Sequence, residues 1–399
     1  MLKVHSEPPK PTLSYTGPVF FALGFRPFFG AAGVSAVLLI VSWLAIWSGG
    51  IWKPSYYGFI GWHSHEMLFG YATAIIAGFL LTAVRNWTGV NTPLGTPLMA
   101  LAALWLAGRL LPLFDHWIPG AVIAVADLSF LPAVAFAIQP ALWQGKQKIN
   151  RIFVPLLLLM SVANLLVHME GLGLTQTAAR GIDMMLYLVL FLVALIGGRV
   201  MPFFTQAVIP GYQAVRRQWV EIATVGGFAL LVLLQLTSLP PAVTGLTATG
   251  LALVQMVRVA GWHNRQVWRT PVLWVLYAGM GWIIVGLLLT GLASWNLIAP
   301  SLAKHALTIG GIGVLTLGMM ARVALGHTGR PLQPAKAVEV AFGLLNLGAL
   351  VRVFGPLVAP GIYTFWVHLS GGIWMICFLI FSIYYLPILV KPRIDGKPG

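Results

Sequence analysis

The feature that most limits what this chain can become is the length of its uncharged stretches. Ile222 to Val257 runs for 36 residues without an Asp, Glu, Lys or Arg. As one helix it would be about 54 Å long at 1.5 Å per residue, well beyond the ~30 Å hydrocarbon core of a bilayer. Leu239-Pro240-Pro241 supplies a turn, so the stretch reads as two crossings. Met67–Val84 and Thr270–Thr290 are each an uncharged run of one crossing. The run after Arg352 exceeds one crossing, and Pro356, Pro360 and Gly361 mark its loop end.

Composition agrees. Of the 399 residues 8% are charged and 59% hydrophobic, where soluble domains hold about 25% and 45–50%. This excludes an ordinary soluble enzyme, a disordered tail and a disulfide scaffold. Cys377, the one cysteine, lies inside an apolar run. It permits no internal disulfide and no Cys-x-x-Cys-His haem attachment, and reads as a small apolar filler. The net charge of +15 does not point to nucleic acid, because the basic residues sit between apolar runs rather than on one wet face.

The fold class expected is all-α, a polytopic bundle of about 12 transmembrane helices near 28–48, 63–86, 94–112, 119–141, 151–170, 178–204, 219–238, 241–261, 270–291, 303–325, 335–354 and 362–388. Twelve crossings put both termini on one side. With the N-terminus inside, 19 of the 24 Lys and Arg fall on the inner side and five (Lys53, Arg109, Arg180, Lys304, Arg352) on the outer, as cytoplasmic loops require. That asymmetry accounts for the basic balance with the lipid bilayer as the only macroscopic partner. The expected organisation is one transmembrane domain over 1–399, with short cytoplasmic tails at 1–18 and 390–399. Met1–Thr16 is polar and Pro-rich and lacks the pattern of a signal peptide, so the first apolar segment is expected to remain a span. Gly24–Phe29 faintly echoes Gly198–Phe204; two fragments do not establish a duplicated half, and no inverted repeat is assigned.

Ionisable groups at membrane depth are costly and point to function. Among nine histidines, His5 is in the tail. The topology sends His63, His65, His168, His305, His368 and the loop residue His116 to the outer face, and His263 and His327 to the inner. Imidazole from several helices at one depth can hold iron, copper or zinc, which makes His63, His65, His168, His305 and His368 candidate metal or haem ligands. Trp62-His63-Ser64-His65-Glu66-Met67 is the densest polar entry to a span. In a helix His63, Glu66 and Met67 share a face and His65 points about 200° away from His63. The two histidines then serve different centres, unless His63 precedes the helix. His168 is balanced between ligand and polar partner of Asn164. His305 and His327 are 22 residues apart, about 33 Å of helix, so they cannot share a metal. His327, in Leu325-Gly326-His327-Thr328-Gly329-Arg330, is either a capping turn or an inner-face haem or docking site. His116 and His263 read as interfacial. Glu66, Glu170, Asp127 and Asp183 are candidates for proton relay or for steadying imidazoles, with a helix–helix hydrogen bond favoured for Asp127. Gly310, Gly311, Gly313 and Gly318 read as helix-packing positions.

Three blocks carry a family resemblance. His63-Ser64-His65-Glu66-Met67-Leu68-Phe69-Gly70-Tyr71, continuing to Asn86-Trp87-Thr88-Gly89, resembles the NnrS family. So do Gly198-Arg199-Val200-Met201-Pro202-Phe203-Phe204-Thr205, and His305-Ala306-Leu307-Thr308-Ile309-Gly310 running on to Gly326-His327-Thr328-Gly329-Arg330. The sequence departs at Arg85, where Pro would be expected, and at Tyr277, where His is frequent. The resemblance implies a bacterial cytoplasmic-membrane protein of nitric oxide metabolism and nitrosative-stress resistance, containing haem and copper. With no c-type attachment motif the haem would be b-type, and electrons would come from quinol or a separate donor. On this reading two NO are joined into nitrous oxide at an outer-side His-ligated metal centre, with Glu66 as a proton donor. The alternatives are a non-enzymatic NO-binding or iron-protecting haem protein, and a membrane transporter.

Overall fold

The computed structural model describes residues 15–50 and 54–396. Lys3, His5, Lys10, Lys53 and Lys397, placed by the topology above, lie outside the described residues. Eleven helices are long and apolar enough to cross a membrane: α1 Phe25–Trp47, α2 Phe59–Thr88, α3 Thr96–Phe114, α4 Gly120–Gln144, α5 Lys148–Gly171, α6 Ala178–Gln206, α8 Pro241–Trp262, α9 Pro271–Ser294, α10 Pro300–His327, α11 Lys336–Val358 and α12 Pro360–Val390. Between α6 and α8 lies a shorter apolar helix, α7, Gln218–Leu234. These are the twelve segments expected. The chain is a multi-pass membrane protein, and among the described residues no strand occurs. Only helices satisfy their own backbone groups in lipid. Proline in the first turn, where no intrahelical N–H is needed, opens α8, α9 and α10.

Helix spacing shows an order that residue identities hide. The chain divides into three consecutive sets of four helices. The first helices of the sets begin at 25, 148 and 271, which are 123 and 123 residues apart. The second helices begin at 59, 178 and 300, which are 119 and 122 apart. The second helix is the most buried of each set: 83%, 72% and 78% for α2, α6 and α10, against 61% or less for the other long spans. The last helix of each set packs on the first of the next, α4 on α5, α8 on α9 and α12 on α1. The sets therefore close on themselves with α2, α6 and α10 innermost. The echo between Gly24–Phe29 and Gly198–Phe204 is out of register with this repeat, since it pairs α1 with α6.

Two of the central helices are locally rewound. α2 forms a π-helical stretch over Glu66–Ala72, immediately after His65. α10 does so over Ala306–Gly313, immediately after His305. π-turns are rare and concentrate at functional sites, and here each follows a candidate ligand. The α10 stretch is glycine-rich because other side chains fill its surface: a Cβ on Gly310 would collide with the Trp282 ring. Helix packing, the reading made from sequence, accounts for that glycine. Cys377 is buried, and its thiol donates to the Ala341 carbonyl at 3.3 Å.

Candidate metal and cofactor site

α2 begins at Phe59, so His63 and His65 lie one to two turns inside the helix rather than at its entry. They diverge, as the helical wheel requires. His63 faces a cavity of about 390 Å³ between α1, α2, α6, α10, α11 and α12, which His305, Met67, Tyr71 and Arg352 also line. That volume falls within the ~300–1,000 Å³ of cofactor pockets. The His63 ring stacks on Trp43, centroids 4.3 Å apart at 16°, which fixes its plane. His305 Nδ1–H donates to the Ser301 carbonyl at 2.6 Å. With Nδ1 occupied, Nε2 keeps the lone pair that a metal needs.

Arg352 is 8% exposed. Its Nη2 donates to the Tyr363 hydroxyl at 2.9 Å, while Nη1 is buried with no hydrogen-bond partner among the described residues. A buried guanidinium favours an anionic group beside it. Lys304, also on the wall, pairs with Asp183 at 2.6 Å. Two imidazoles, a buried guanidinium and largely apolar walls suit an iron porphyrin with its carboxylates.

His65 enters a second, buried group with His168 and Asp127, whose ligand atoms lie within 4.8 Å of one another. Asp127 Oδ2 accepts from Asn164 Nδ2 at 2.7 Å and from His168 Nε2 at 3.0 Å, and lies 3.1 Å from His65 Nε2. His65 Nδ1 lies 3.1 Å from Glu66 Oε1. Arg109 pairs with Glu66 Oε2 at 3.2 Å and with Asp127 Oδ1. Two carboxylates thus face one guanidinium and two imidazoles. Two imidazoles and a carboxylate suit copper or iron. Close helix approach makes the group possible: a Cβ on Gly108 would strike Asp127 Oδ1.

A loop covers this group. Asp115 Oδ2 accepts from Ser55 N at 2.8 Å, Ser55 Oγ at 2.8 Å and Tyr56 N at 2.9 Å. Burial pushes the Asp115 carboxyl up, but these donors outweigh it and hold it below its usual value. The anchored loop brings Tyr56 OH to 3.0 Å from His168 Nδ1 and stacks Tyr57 on His65 at 4.1 Å. Burial, reinforced by the Asp127 carboxylate, pushes the Tyr56 hydroxyl up to about 12. Tyr56 therefore stays a neutral donor.

The expected outer cluster thus divides into two groups and some bystanders. His63 joins His305, and His65 joins His168. His368 joins neither: it does not line the His63–His305 cavity, and its Nδ1 donates to the Thr364 carbonyl at 2.8 Å while its Nε2 meets Ser48 Oγ at 2.9 Å. His327 stays at the far end of α10, against Phe25 and 3.5 Å from Asn86 Nδ2. Glu66 shares the His63 side of the wheel, yet its carboxylate turns to Arg109 and His65. Glu170 accepts from Ala178 N at 2.8 Å, satisfying the α6 N-terminus rather than an imidazole. His116 is exposed beside Asp115, and His263, also exposed, accepts from Trp268 Nε1 at 3.0 Å. Sequence reasoning missed Arg109, Tyr56 and Tyr57, whereas the helix–helix hydrogen bond favoured for Asp127 is present, accepted from Asn164 and His168 of α5. A signal was present: Arg109 and Asp127 flank one short turn, so a cation and an anion at similar depth on consecutive spans could have been paired.

No curated protein matches the chain. The family model described as NnrS protein matches residues 19–393. That match spans nearly the whole length, including both histidine-bearing π-turn helices, and the chain belongs to the NnrS family.

Proposed function

We propose that this protein holds a b-type haem in the cavity between His63 and His305 and reduces nitric oxide there, in the bacterial cytoplasmic membrane with both termini inside. The observation that carries the reading is that His63, the pinned His305 ring and Arg352 line one cavity. His63 and His305 would hold the iron, and Arg352 and Lys304 the porphyrin carboxylates. The haem supplies reversible NO binding and one-electron chemistry. His65, His168 and Asp127 would hold copper, with Arg109 and Asn164 orienting Asp127 and Asn164 Oδ1 also meeting His65 Nε2 at 3.0 Å. Joining two NO takes two electrons and two protons and yields one nitrous oxide and one water. Quinol or a separate donor supplies the electrons. The proton relay would end at Glu66, whose Oε1 lies 3.1 Å from His65 Nδ1.

One observation favours a second reading, an NO-binding haem protein without turnover. Glu66 faces Arg109 and does not line the cavity, so the relay stops short of the site. Anaerobic NO consumption by the haem-loaded protein with a reductant decides between them. Turnover with one nitrous oxide per two NO supports reduction. Stoichiometric NO binding in the spectrum without nitrous oxide supports the second reading.

A further inference from the structure

A second, smaller cavity lies among the innermost helices, and the haem reading gives it no role. It measures about 80 Å³ and is walled by α2, α6, α9 and α10, the three innermost helices and one neighbour. Its lining is apolar throughout, among it Ile76, Val193, Gly197, Met280 and Ile312, except for Thr316. The Thr316 hydroxyl is already used, donating to the Ile312 carbonyl at 2.7 Å and meeting Tyr71 OH at 2.7 Å. Nothing on these walls offers water the partners it needs. An apolar cavity of ~150 Å³ stays dry and takes benzene or xenon, and this one is about half that size. It excludes a quinone or lipid chain and admits a diatomic gas.

Its position gives it a direction. Ile312 lines both this cavity and the His63–His305 cavity. Tyr71 lines the larger cavity and Thr316 the smaller, so their hydrogen bond spans the boundary. The half-buried lining residues Phe79, Val200 and Met319 lie farther along their helices, away from that boundary. We propose that this cavity is a passage for a small uncharged gas, leading from the apolar depth of the molecule past Tyr71 and Thr316 to the His63–His305 cavity. The inference rests on the haem reading for its destination and on the lining alone for its occupant.

Gly197 provides the test. It lines the cavity, and a Cβ built on it meets nothing within 4 Å. Gly197→Leu therefore projects into the passage from a backbone position with room for its Cβ, and in a helix interior leucine is favoured over glycine. Xenon uptake followed by 129Xe NMR needs no haem: wild type should bind xenon saturably, and Gly197→Leu should not. In haem-loaded protein, carbon monoxide recombination after flash photolysis should slow several-fold in Gly197→Leu with the absorption spectrum unchanged, while Gly197→Ala should stay near wild type. Absence of xenon binding in wild type overturns the gas site. Xenon binding with unaltered recombination in Gly197→Leu overturns the passage. A preparation that takes up no haem refutes the reading in the preceding section, and the xenon arm still decides whether the cavity holds gas.

Discussion

Arg352 and Arg109 are both buried guanidinium groups, and they are placed for different tasks. Arg109 is matched on two sides by carboxylates, whereas Arg352, on a cavity wall, keeps one N–H without a hydrogen-bond partner among the described residues. If that N–H meets a haem carboxylate, Arg352→Ala removes a charge-assisted bond of about 1.5–3 kcal/mol. Haem should be lost roughly 10- to 100-fold more readily, measured by transfer to apomyoglobin, with the absorption maxima retained and Arg352→Lys partly restoring retention. Asp127→Ala tests the other arrangement. Stripping one partner from a buried ion pair costs about 3–5 kcal/mol, so thermal unfolding in detergent should drop sharply. Arg109→Leu combined with Asp127→Leu should be less damaging than the two single changes added together. A cycle that sums without coupling would mean that the pair is not formed. At this scale the sequence was legible where geometry is local. The divergence of His63 from His65 follows from two residues of helix. The union of Asp127 with His168 and His65 depends on how three helices pack, and no periodicity carries that.

At the scale of elements, the loop before α2 and the rewound turns within α2 and α10 set the site. Asp115 fastens that loop with three donors, so Asp115→Ala should loosen Tyr56 and Tyr57 from the two histidines. The carboxyl is held below its ordinary 3.8. Its contribution is therefore complete above the unfolded value and is lost as pH falls through the folded one. The stability gap between wild type and Asp115→Ala should be full at pH 7 and close below about pH 4. A gap that persists at lower pH would contradict the ionised anchor. Span positions were readable to within a few residues because burial in lipid demands uninterrupted apolar length. The π-turns were not, since an i→i+5 winding leaves the composition of a helix unchanged.

For the whole molecule, the three four-helix sets explain why α2, α6 and α10 are central and why both cavities lie against them. The repeat resides in helix spacing, so a search for matching residues passes over it. Orientation is testable independently. His116 and Gln266 are exposed at opposite ends of the bundle. A membrane-impermeant maleimide should label His116→Cys in cells with a permeable outer layer, and Gln266→Cys only after the cytoplasmic membrane is opened. Cys377 is buried and should not contribute. The reverse pattern would invert the topology and place the histidine cavity inside.

The claim beneath all of this is that His63 and His305 grip one iron porphyrin. Absorption spectra and iron analysis of detergent-purified wild type, His63→Ala, His305→Ala and His368→Ala test it most directly. Wild type and His368→Ala should show the same Soret band and the same iron per chain. His63→Ala and His305→Ala should each shift or lose that band while still eluting as folded protein. Identical spectra in all four, or a colourless wild type free of iron, would contradict the account.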